Sequence, residues 1–422
     1  MSLAFLEFND QSLLIQAEDG PLHSQPGFAR LSPEGIETGE TARASAWREP
    51  QHSYNQYWCQ LNQAALAAKQ GWARHHADIA FAQIRSLWQT ADSPDSLLVL
   101  VPGSFDDSQL SLLLGMLEAL PAKTIAVIDS ALAACFEADR ETLFVELQLH
   151  QTVLTLCRPQ GRKVSVINQE VFPDLGLMQI YNSVARHISS LLIDSNRYDP
   201  LHASDSEQTI FDRLPDWLAR LRWEKEVSAS IDSEHGQLPF FLRSEVVKAL
   251  VSERMGNVRS FLGRHPDSHL VLSHGSALLT GLSDEFSNAE LSDQSAGIDH
   301  CHAHLAVITD QLDSLYRVQE LQRSAAHQVP DSPVEKLATH VLYGDQAMSL
   351  HMPVSIRING DGLEFVNAVD KNAAFTVVLR NRNLEVVHSD PDLETSIPRN
   401  CKPGDFIRVG EHQLRLIEVH NG

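Results

Sequence analysis

Residues 142–157 read Thr-Leu-Phe-Val-Glu-Leu-Gln-Leu-His-Gln-Thr-Val-Leu-Thr-Leu-Cys, and this stretch decides the fold. It begins as an apolar run that carries a carboxylate, Glu146, and it resumes as a second β-prone run at residues 153–157. Two such runs around a short polar segment predict two antiparallel strands joined by a turn. The turn, residues 148–151, contains no glycine. Because glycine lets backbone N–H groups curl around a phosphate without a Cβ in the way, this turn is poorly suited to hold one.

The same pattern occurs at the start of the chain. An apolar run from Leu3 carries a carboxylate, Glu7, just before the polar residues 9–12, and a second apolar run follows at residues 13–15. The sequence therefore predicts two hairpins, each with a glutamate close to its turn.

Composition limits the classes of function. The chain has 422 residues, of which 43% are apolar and 21% charged, as in an ordinary globular protein of two or three domains. A net charge of -22 disfavours nonspecific binding to nucleic acid or to an anionic membrane. No apolar window of about 18 residues exists, and the first residues lack the features of a signal peptide. With five scattered cysteines and no Cys-x-x-Cys pair, the expected location is the reducing cytoplasm.

The segments between the hairpins predict alternating strands and helices. Residues 97–101 and 124–128 are all-apolar runs typical of buried strands, and Ser104 or Asp106 can cap a helix between them. Residues 20–50 are expected to be irregular, and residues 54–88 mostly helical. This order favours an α/β layer structure.

After the second hairpin, the pattern predicts a strand at residues 164–172 and an amphipathic helix at residues 175–193. A further strand runs into a Gly-Ser turn, Gly275-Ser276, at the start of a helix. Backbone N–H groups at such a helix start can receive a phosphate or the polar edge of a ligand.

Several segments resemble the nucleotide-binding half of DnaK-type heat-shock chaperones, which belong to the actin-like ATPase superfamily. Residues 101–109 (Val-Pro-Gly-Ser-Phe-Asp-Asp-Ser-Gln) look like that family's Val-Pro-x-x-Phe-x-Asp-x-Gln segment. Residues 129–134 fall where the family has a Glu-Pro-x-Ala-Ala-Ala helix, and residues 39–42 match its Gly-x-x-Ala turn. Residues 241–245 and 273–278 resemble the helix start and the Gly-Gly-Ser-Ser-Arg loop that contact adenosine in the family.

This resemblance implies an α/β, actin-like (ribonuclease H-like) two-lobed ATPase fold over residues 1–326, with lobes at about 1–160 and 161–326. A linker at residues 327–345, which contains Pro330 and Pro333, is then followed by a small β-sandwich-like domain at 346–422. The ligands that the resemblance implies are ATP or ADP with magnesium.

The departures from the family fall on its phosphate loops. The first loop, Asp-x-Gly-Thr-Thr in the family, reads Glu-Phe-Asn-Asp-Gln at residues 7–11, and the second, Asp-x-Gly-Gly-Gly-Thr, reads Glu-Leu-Gln-Leu-His-Gln at residues 146–151. Both carboxylates are kept as glutamate, and every phosphate-cradling glycine is replaced. A non-glycine residue in left-handed backbone space costs roughly 1–2 kcal/mol, so these loops are expected to take other conformations. Asp10 also adds negative charge where a phosphate would lie, so ATP hydrolysis is expected to be weak or absent.

The candidate site follows from the resemblance, position by position. Glu7 and Glu146 correspond to the magnesium shell, against the simpler interpretation that they are hydrogen-bonded remnants. The positions of the nucleotide cleft are Asn9, Asp10, Gln148, His150, Arg243, Gly275 and Ser276.

The spacing of His300 and His304 on a predicted helix is that of zinc-binding pairs, but no glutamate follows His300 in the metalloprotease pattern. We therefore predict a polar helix surface there and no metal site.

At the end of the chain, residues 400–410 resemble the last turn and strand of a forkhead-associated phosphopeptide domain. The Gly-Arg and Ser-x-x-His elements that bind phosphothreonine in that family are missing. We therefore expect a β domain that contacts protein.

Together these features predict a chaperone-related pseudo-ATPase that acts as a protein-binding or scaffold module. Two alternatives remain open, a divergent ATP-binding chaperone-like ATPase and an actin-like assembly component of a pilus or secretion machine. The expected partners are proteins, with no nucleic acid and no membrane insertion.

Overall fold

The chain folds as a mixed α/β protein that forms two compact units, residues 1–222 with 226–325 and residues 223–225 with 326–422. The computed structural model describes residues 2–18, 20–70, 73–233, 236–286, 288–310, 316–322, 338–350, 352–359, 362–380, 383–390, 393–398 and 401–419.

Strands dominate the beginning of the first unit, with helices inserted between them. The strands are β1 (Leu3–Glu7), β2 (Leu13–Ala17), β3 (Leu22–Gln25), β4 (Ala29–Ser32), β5 (Gly35–Thr38), β6 (Ser53–Tyr54), β7 (Ala65–Gln70), β8 (Ala73–His75), β9 (Ser96–Val101) and β10 (Lys123–Asp129). The helices are α1 (Glu40–Arg43), α2 (His76–Thr90), α3 (Asp107–Glu118) and α4 (Ser130–Ala134).

The rest of the first unit begins at the second predicted hairpin. Its strands are β11 (Thr142–Leu147), β12 (Thr152–Gln160), β13 (Lys163–Phe172), β14 (Glu226–Ser233), β15 (Gly236–Arg243), β16 (His269–Leu272), β17 (Glu290–Leu291), β18 (Arg317–Val318) and β19 (Glu320–Gln322). Its helices are α5 (Leu177–Asn196), α6 (Ser204–Leu221), α7 (Ser244–Ser252), α8 (Gly256–Leu262), α9 (His274–Leu278), α10 (Leu282–Glu285), α11 (Ala296–Ala303) and α12 (Leu305–Asp310).

Two six-stranded sheets of the first unit share the order and direction of five strands. In the first sheet, ordered β18-β10-β9-β1-β2-β3, the antiparallel strands β1 to β3 continue into the parallel pair β9 and β10. In the second sheet, ordered β17-β16-β11-β12-β13-β19, the antiparallel strands β11 to β13 continue in the same way into β16 and β17. The two predicted hairpins, β1–β2 and β11–β12, are confirmed and occupy equivalent places.

A hydrophobic core lies between the two sheets. Alternate side chains of a strand point to opposite faces, so Leu3 and Phe5 of β1 enter this shared core with Phe144 of β11, whereas Ala4 and Leu6 enter a core on the outer face of the first sheet. The same alternation assigns Glu7 and Glu146 to the face of the shared core. Both carboxyl groups therefore lie on the side where the two sheets meet.

Two sequence predictions for the first unit were wrong. Residues 54–88 contain β7 and β8, and helix α2 begins only at His76, where the Asp78 side chain accepts a hydrogen bond from the backbone N–H of His75. Trp58 and Leu61 are buried beside Phe8 in the outer core and not on a helix face.

Residues 20–50 contain three strands, β3 to β5, where irregular structure was expected. These strands are short and mostly half-buried, so they lack the apolar alternation that predicts a strand.

The second unit is all-β and antiparallel. Its strands are β20 (His340–Tyr343), β21 (Gln346–Ser349), β22 (Val354–Asn359), β23 (Gly362–Val366), β24 (Phe375–Arg380), β25 (Asn383–Ser389), β26 (Thr395–Ser396), β27 (Phe406–Val409) and β28 (His412–Ile417). They form a sheet ordered β21-β20-β28-β27-β26 and a sheet ordered β23-β22-β24-β25, and one apolar core takes side chains from both. Residues 327–337 of the predicted linker lie outside the described residues, and β20 already begins within its remaining part.

Candidate functional site

The turns of the two equivalent hairpins meet. We call residues 8–12, between β1 and β2, the first turn, and residues 148–151, between β11 and β12, the second turn. Asn9 Nδ2 donates to the carbonyl of Leu147 over 3.1 Å, and the backbone N–H of Leu149 donates to Asp10 Oδ1 over 2.6 Å. The structure therefore brings the predicted residues Asn9 and Asp10 to the second hairpin, where they bond to protein backbone.

Asp10 is fixed inside the protein. Its side chain is only 5% exposed, and its own carbonyl accepts a hydrogen bond from the backbone N–H of Gly27 over 2.7 Å. Burial raises the pKa of its carboxyl to about 7, although the N–H of Leu149 acts in the opposite direction. Asp10 Oδ2 has no hydrogen-bond partner among the described residues.

Gln11 lies directly against the Gly-Ser turn that precedes α9. A Cβ built on Gly275 would come within 2.1 Å of Gln11 Oε1, so a side chain at position 275 would displace this amide. Gly275, predicted to receive adenosine, is therefore covered by a side chain of the first turn. Gln11 was not among the predicted site residues, because a glutamine that packs against a distant glycine leaves no local sequence pattern.

Glu7 and Glu146 reach the shared core from the two hairpins. Burial raises the pKa of Glu7 to about 7, and Glu7 Oε2 has no partner among the described residues. Burial also raises the pKa of Glu146 to about 8, and the negative charge of Glu7 raises it further, against the hydrogen bond from Gln148. Both carboxyls therefore hold protons more tightly than an exposed glutamate does.

The side-chain amide of Gln148 forms hydrogen bonds with neighbouring side chains. Its Nε2 donates to Glu146 Oε1 over 3.0 Å, and its Oε1 accepts from Gln151 Nε2 at 2.7 Å and from Ser104 Oγ at 3.3 Å. The side chain is buried. Both polar atoms of the amide therefore have partners in the protein, and Oε1 accepts two hydrogen bonds.

His150 points away from Gln148. Its Nε2 lies 2.9 Å from the carbonyl of Asn55, to which it donates, and burial lowers the pKa of the imidazole. A neutral ring bonded to a backbone carbonyl holds the second turn in place.

Ser276 joins α9 to β11. Its Oγ accepts from the N–H of Leu147 over 2.8 Å and donates to the carbonyl of Val145 over 3.0 Å. Ser273 Oγ lies 2.7 Å away, and Ser276 is 0% exposed. The hydroxyl is occupied as a structural bridge between the helix and the strand.

Arg243 lies at the end of β15, in the two-stranded sheet β14–β15. Its guanidinium is exposed and pairs with Glu226 at 3.3 Å and with Glu245 at 3.8 Å. Its two ion pairs are therefore with Glu226 of β14 and with Glu245 at the start of α7.

Asp129 and Gln169 are further polar residues beside the shared core. Asp129 is 0% exposed and caps α4, since its Oδ1 accepts from the N–H groups of Ala131 and Leu132. Gln169 Nε2 donates to Asp129 Oδ2 over 2.6 Å. Asp129 begins a recognisable helix motif, but nothing in the sequence pairs it with Gln169 on β13.

A small cavity lies beside the two turns. The cavity there measures about 10 Å³, roughly the room of one water molecule. Small-molecule sites usually enclose about 300–1,000 Å³. The cavity is lined by Phe8, Asn9, Asp10, Leu13, Trp58, Cys59, Pro102, Phe105 and Gln148.

The histidines of α11 have separate partners. His300 Nδ1 lies 3.0 Å from the carbonyl of Ala133, and His304 Nε2 lies 3.1 Å from Glu137 Oε1. Within the described part of the chain, no three His, Cys, Asp or Glu side chains gather as metal ligands.

Neither a protein-family model nor a curated protein matches this chain. Among the helices that the structure describes, none combines the length and the apolar character needed to cross a membrane.

Proposed function

We propose that the protein is a chaperone-related pseudo-ATPase, an actin-like two-lobed unit that serves as a protein-binding or scaffold module and hydrolyses ATP weakly or not at all. The observation that carries the proposal is the direct bonding between the two turns, in which the N–H of Leu149 is taken by Asp10. In the proposed fold, the phosphates of a nucleotide would lie between these turns.

The sheet topology supports the actin-like part of the proposal. In each six-stranded sheet, three antiparallel strands are followed by two parallel strands, and a sixth strand lies at one edge, parallel to β10 in the first sheet and antiparallel to β13 in the second. Each sheet carries a glutamate near the end of its first strand. Such a repeated arrangement is expected of two lobes built on the same plan.

The chemistry of the glutamates argues against catalysis. With a pKa of about 7, Glu7 is about half protonated at neutral pH, and Glu146, with a pKa of about 8, is mostly protonated. Magnesium binds ionised carboxylates, so it would first have to displace these protons. Gln148 and Ser276, which lie nearby, already use their side-chain polar atoms within the protein.

A surface of the second unit favours contact with protein. Strand β25 is an edge of its sheet, and it exposes Val386 and Val387 at 44% and 43%. An edge strand with exposed apolar side chains is a template for pairing with another chain. A net charge of -22 favours a partner with a basic surface.

Steady-state phosphate release by the full chain tests the proposal. The wild type and Glu146→Ala are expected to show the same background rate with magnesium-ATP. A wild-type rate clearly above background that Glu146→Ala abolishes would show that the protein is an ATPase.

The scaffold role has a separate test. A tagged wild-type chain is expected to retain a protein partner that a Val386→Ser, Val387→Ser double variant retains less well, with no effect of added ATP. Retention that requires ATP would contradict a nucleotide-independent scaffold.

A further inference from the structure

We propose that the contacts between the two turns form a latch that holds the two sheets of the first unit closed, and that the Asp10 carboxylate acts in it as a built-in anion. This latch would control the conformation of the first unit, whether or not the protein hydrolyses ATP.

Three contacts form the latch. Two are hydrogen bonds, from Asn9 Nδ2 to the carbonyl of Leu147 and from the N–H of Leu149 to Asp10 Oδ1. The third is the close contact of Gln11 with Gly275. All three contacts link the first turn either to the second hairpin or to α9. Opening the space between the two hairpins would therefore break them together.

Both ends of the central bond are anchored. On the side of Asp10, a Cβ on Gly27 would come within 2.8 Å of the Asp10 carbonyl, so this glycine permits the close backbone contact that fixes the turn. On the side of Leu149, its own carbonyl accepts from the N–H of Met178, at the start of α5, over 2.8 Å. The bond therefore connects two rigid elements.

The environment strengthens this bond. Asp10 and the Leu149 side chain are 5% and 2% exposed, so water does not replace the interaction easily. A distance of 2.6 Å between N and Oδ1 is short, as expected when the acceptor carries a charge. Because the pKa of Asp10 is about 7, its carboxyl is fully charged only above neutral pH, and the variants are compared there. The class of ligand that suits the N–H of Leu149 is therefore a small oxyanion, and the chain supplies one.

Removing the carboxylate tests both parts of the proposal. Hydrogen exchange of the full chain, followed by mass spectrometry on peptides that contain residues 8–12 and 147–151, is compared between the wild type and Asp10→Gly. Exchange in both turns is expected to become about tenfold faster in the variant, as for the loss of a hydrogen bond to a charged group. Asp10→Ala is expected to give the same result and is available should the glycine variant fold poorly.

Added anion distinguishes a built-in anion from a simple spacer. Sodium acetate, compared with sodium chloride at equal ionic strength, is expected to slow exchange in Asp10→Gly and to leave the wild type unchanged. Sodium phosphate, run as a second arm, shows whether the vacated site prefers a carboxylate or a phosphate.

Asn9→Ala is the matched control, because it removes the other hydrogen bond of the latch, together with the bond from the N–H of Gln11 to Asn9 Oδ1, but keeps the carboxylate. Its exchange is expected to rise without any response to acetate. Unchanged exchange in the Asp10 variants would overturn the latch, and an equal response of Asp10→Gly and Asn9→Ala to acetate would overturn the role of Asp10 as an anion.

Discussion

The backbone N–H of Leu149 donates to Asp10 Oδ1 over 2.6 Å, so a side chain of the first hairpin completes the turn of the second. The two residues lie 139 positions apart in the chain. Their contact fills the space between the hairpins with protein, and it explains why each turn keeps its shape without glycine. The same burial raises the pKa values of the neighbouring carboxyl groups of Glu7 and Glu146.

The pH dependence of stability should differ between the wild type and Glu146→Gln. The pKa of Glu146 is raised from 4.5 to about 8, so the native state binds more protons than the unfolded state between these values. The free energy of unfolding therefore falls as pH rises through this range, by about 1.4 kcal/mol per pH unit at most for this group. Glutamine keeps an acceptor for Gln148 without the charge, so the variant should become more stable relative to the wild type as pH rises. Urea unfolding at several pH values measures the difference.

Glu141→Gln is a control in which the replaced carboxyl has a lowered pKa. Its stability difference from the wild type should therefore change with pH in the opposite direction. Hydrogen bonds from Ser268 and Arg158 hold the pKa of Glu141 below its usual value, so its carboxylate stabilises the fold near neutral pH. The effect should be small, because the ion pair with Arg158 is partly exposed. A stability difference for Glu146→Gln that does not change with pH would show that Glu146 has an ordinary pKa.

Ser276→Ala should destabilise the first unit by about 1–3 kcal/mol, since it leaves the buried N–H of Leu147 without its partner. The control is Ser190→Ala on the exposed face of α5, which should change the free energy of unfolding by less than about 0.5 kcal/mol. Equal effects of the two substitutions in urea unfolding would show that the Ser276 bridge contributes nothing.

Gly275→Ala should destabilise the protein by about 1 kcal/mol, at the low end for an overfilled site, because the new methyl group displaces the Gln11 amide at the end of a flexible side chain. Combining it with Gln11→Ala should remove the cost, which a double-mutant cycle of unfolding free energies measures. Gly256→Ala, where nothing lies within 4 Å of the new Cβ, is the matched control and should be neutral or slightly stabilising. Additive effects of Gly275→Ala and Gln11→Ala would contradict the contact.

The hairpins were predictable because their signals are local. Residues 3–7 and 142–147 are apolar runs that end near a glutamate, and such runs become central strands of a sheet. The position of each glutamate beside its turn was therefore also readable. The buried strand β9 and the cap at Asp106 followed from equally local patterns.

The contacts between the turns were not predictable in the same way. Donors such as the N–H of Leu149 are present in every residue but proline, so they leave no mark in the sequence. Gln11 and Gly275 come together only through the packing of distant elements. The helix expected at residues 54–88 was wrong because apolar residues with helical spacing, such as Trp58 and Leu61, are buried by tertiary contacts outside a helix.

Calorimetric titration of the full chain with magnesium-ATP tests the central claim most directly. We predict no binding heat above that of dilution, because Asp10, Gln11 and Gln148 already fill the space between the hairpins. Tight binding of magnesium-ATP, with turnover that Glu146→Ala abolishes, would contradict the account.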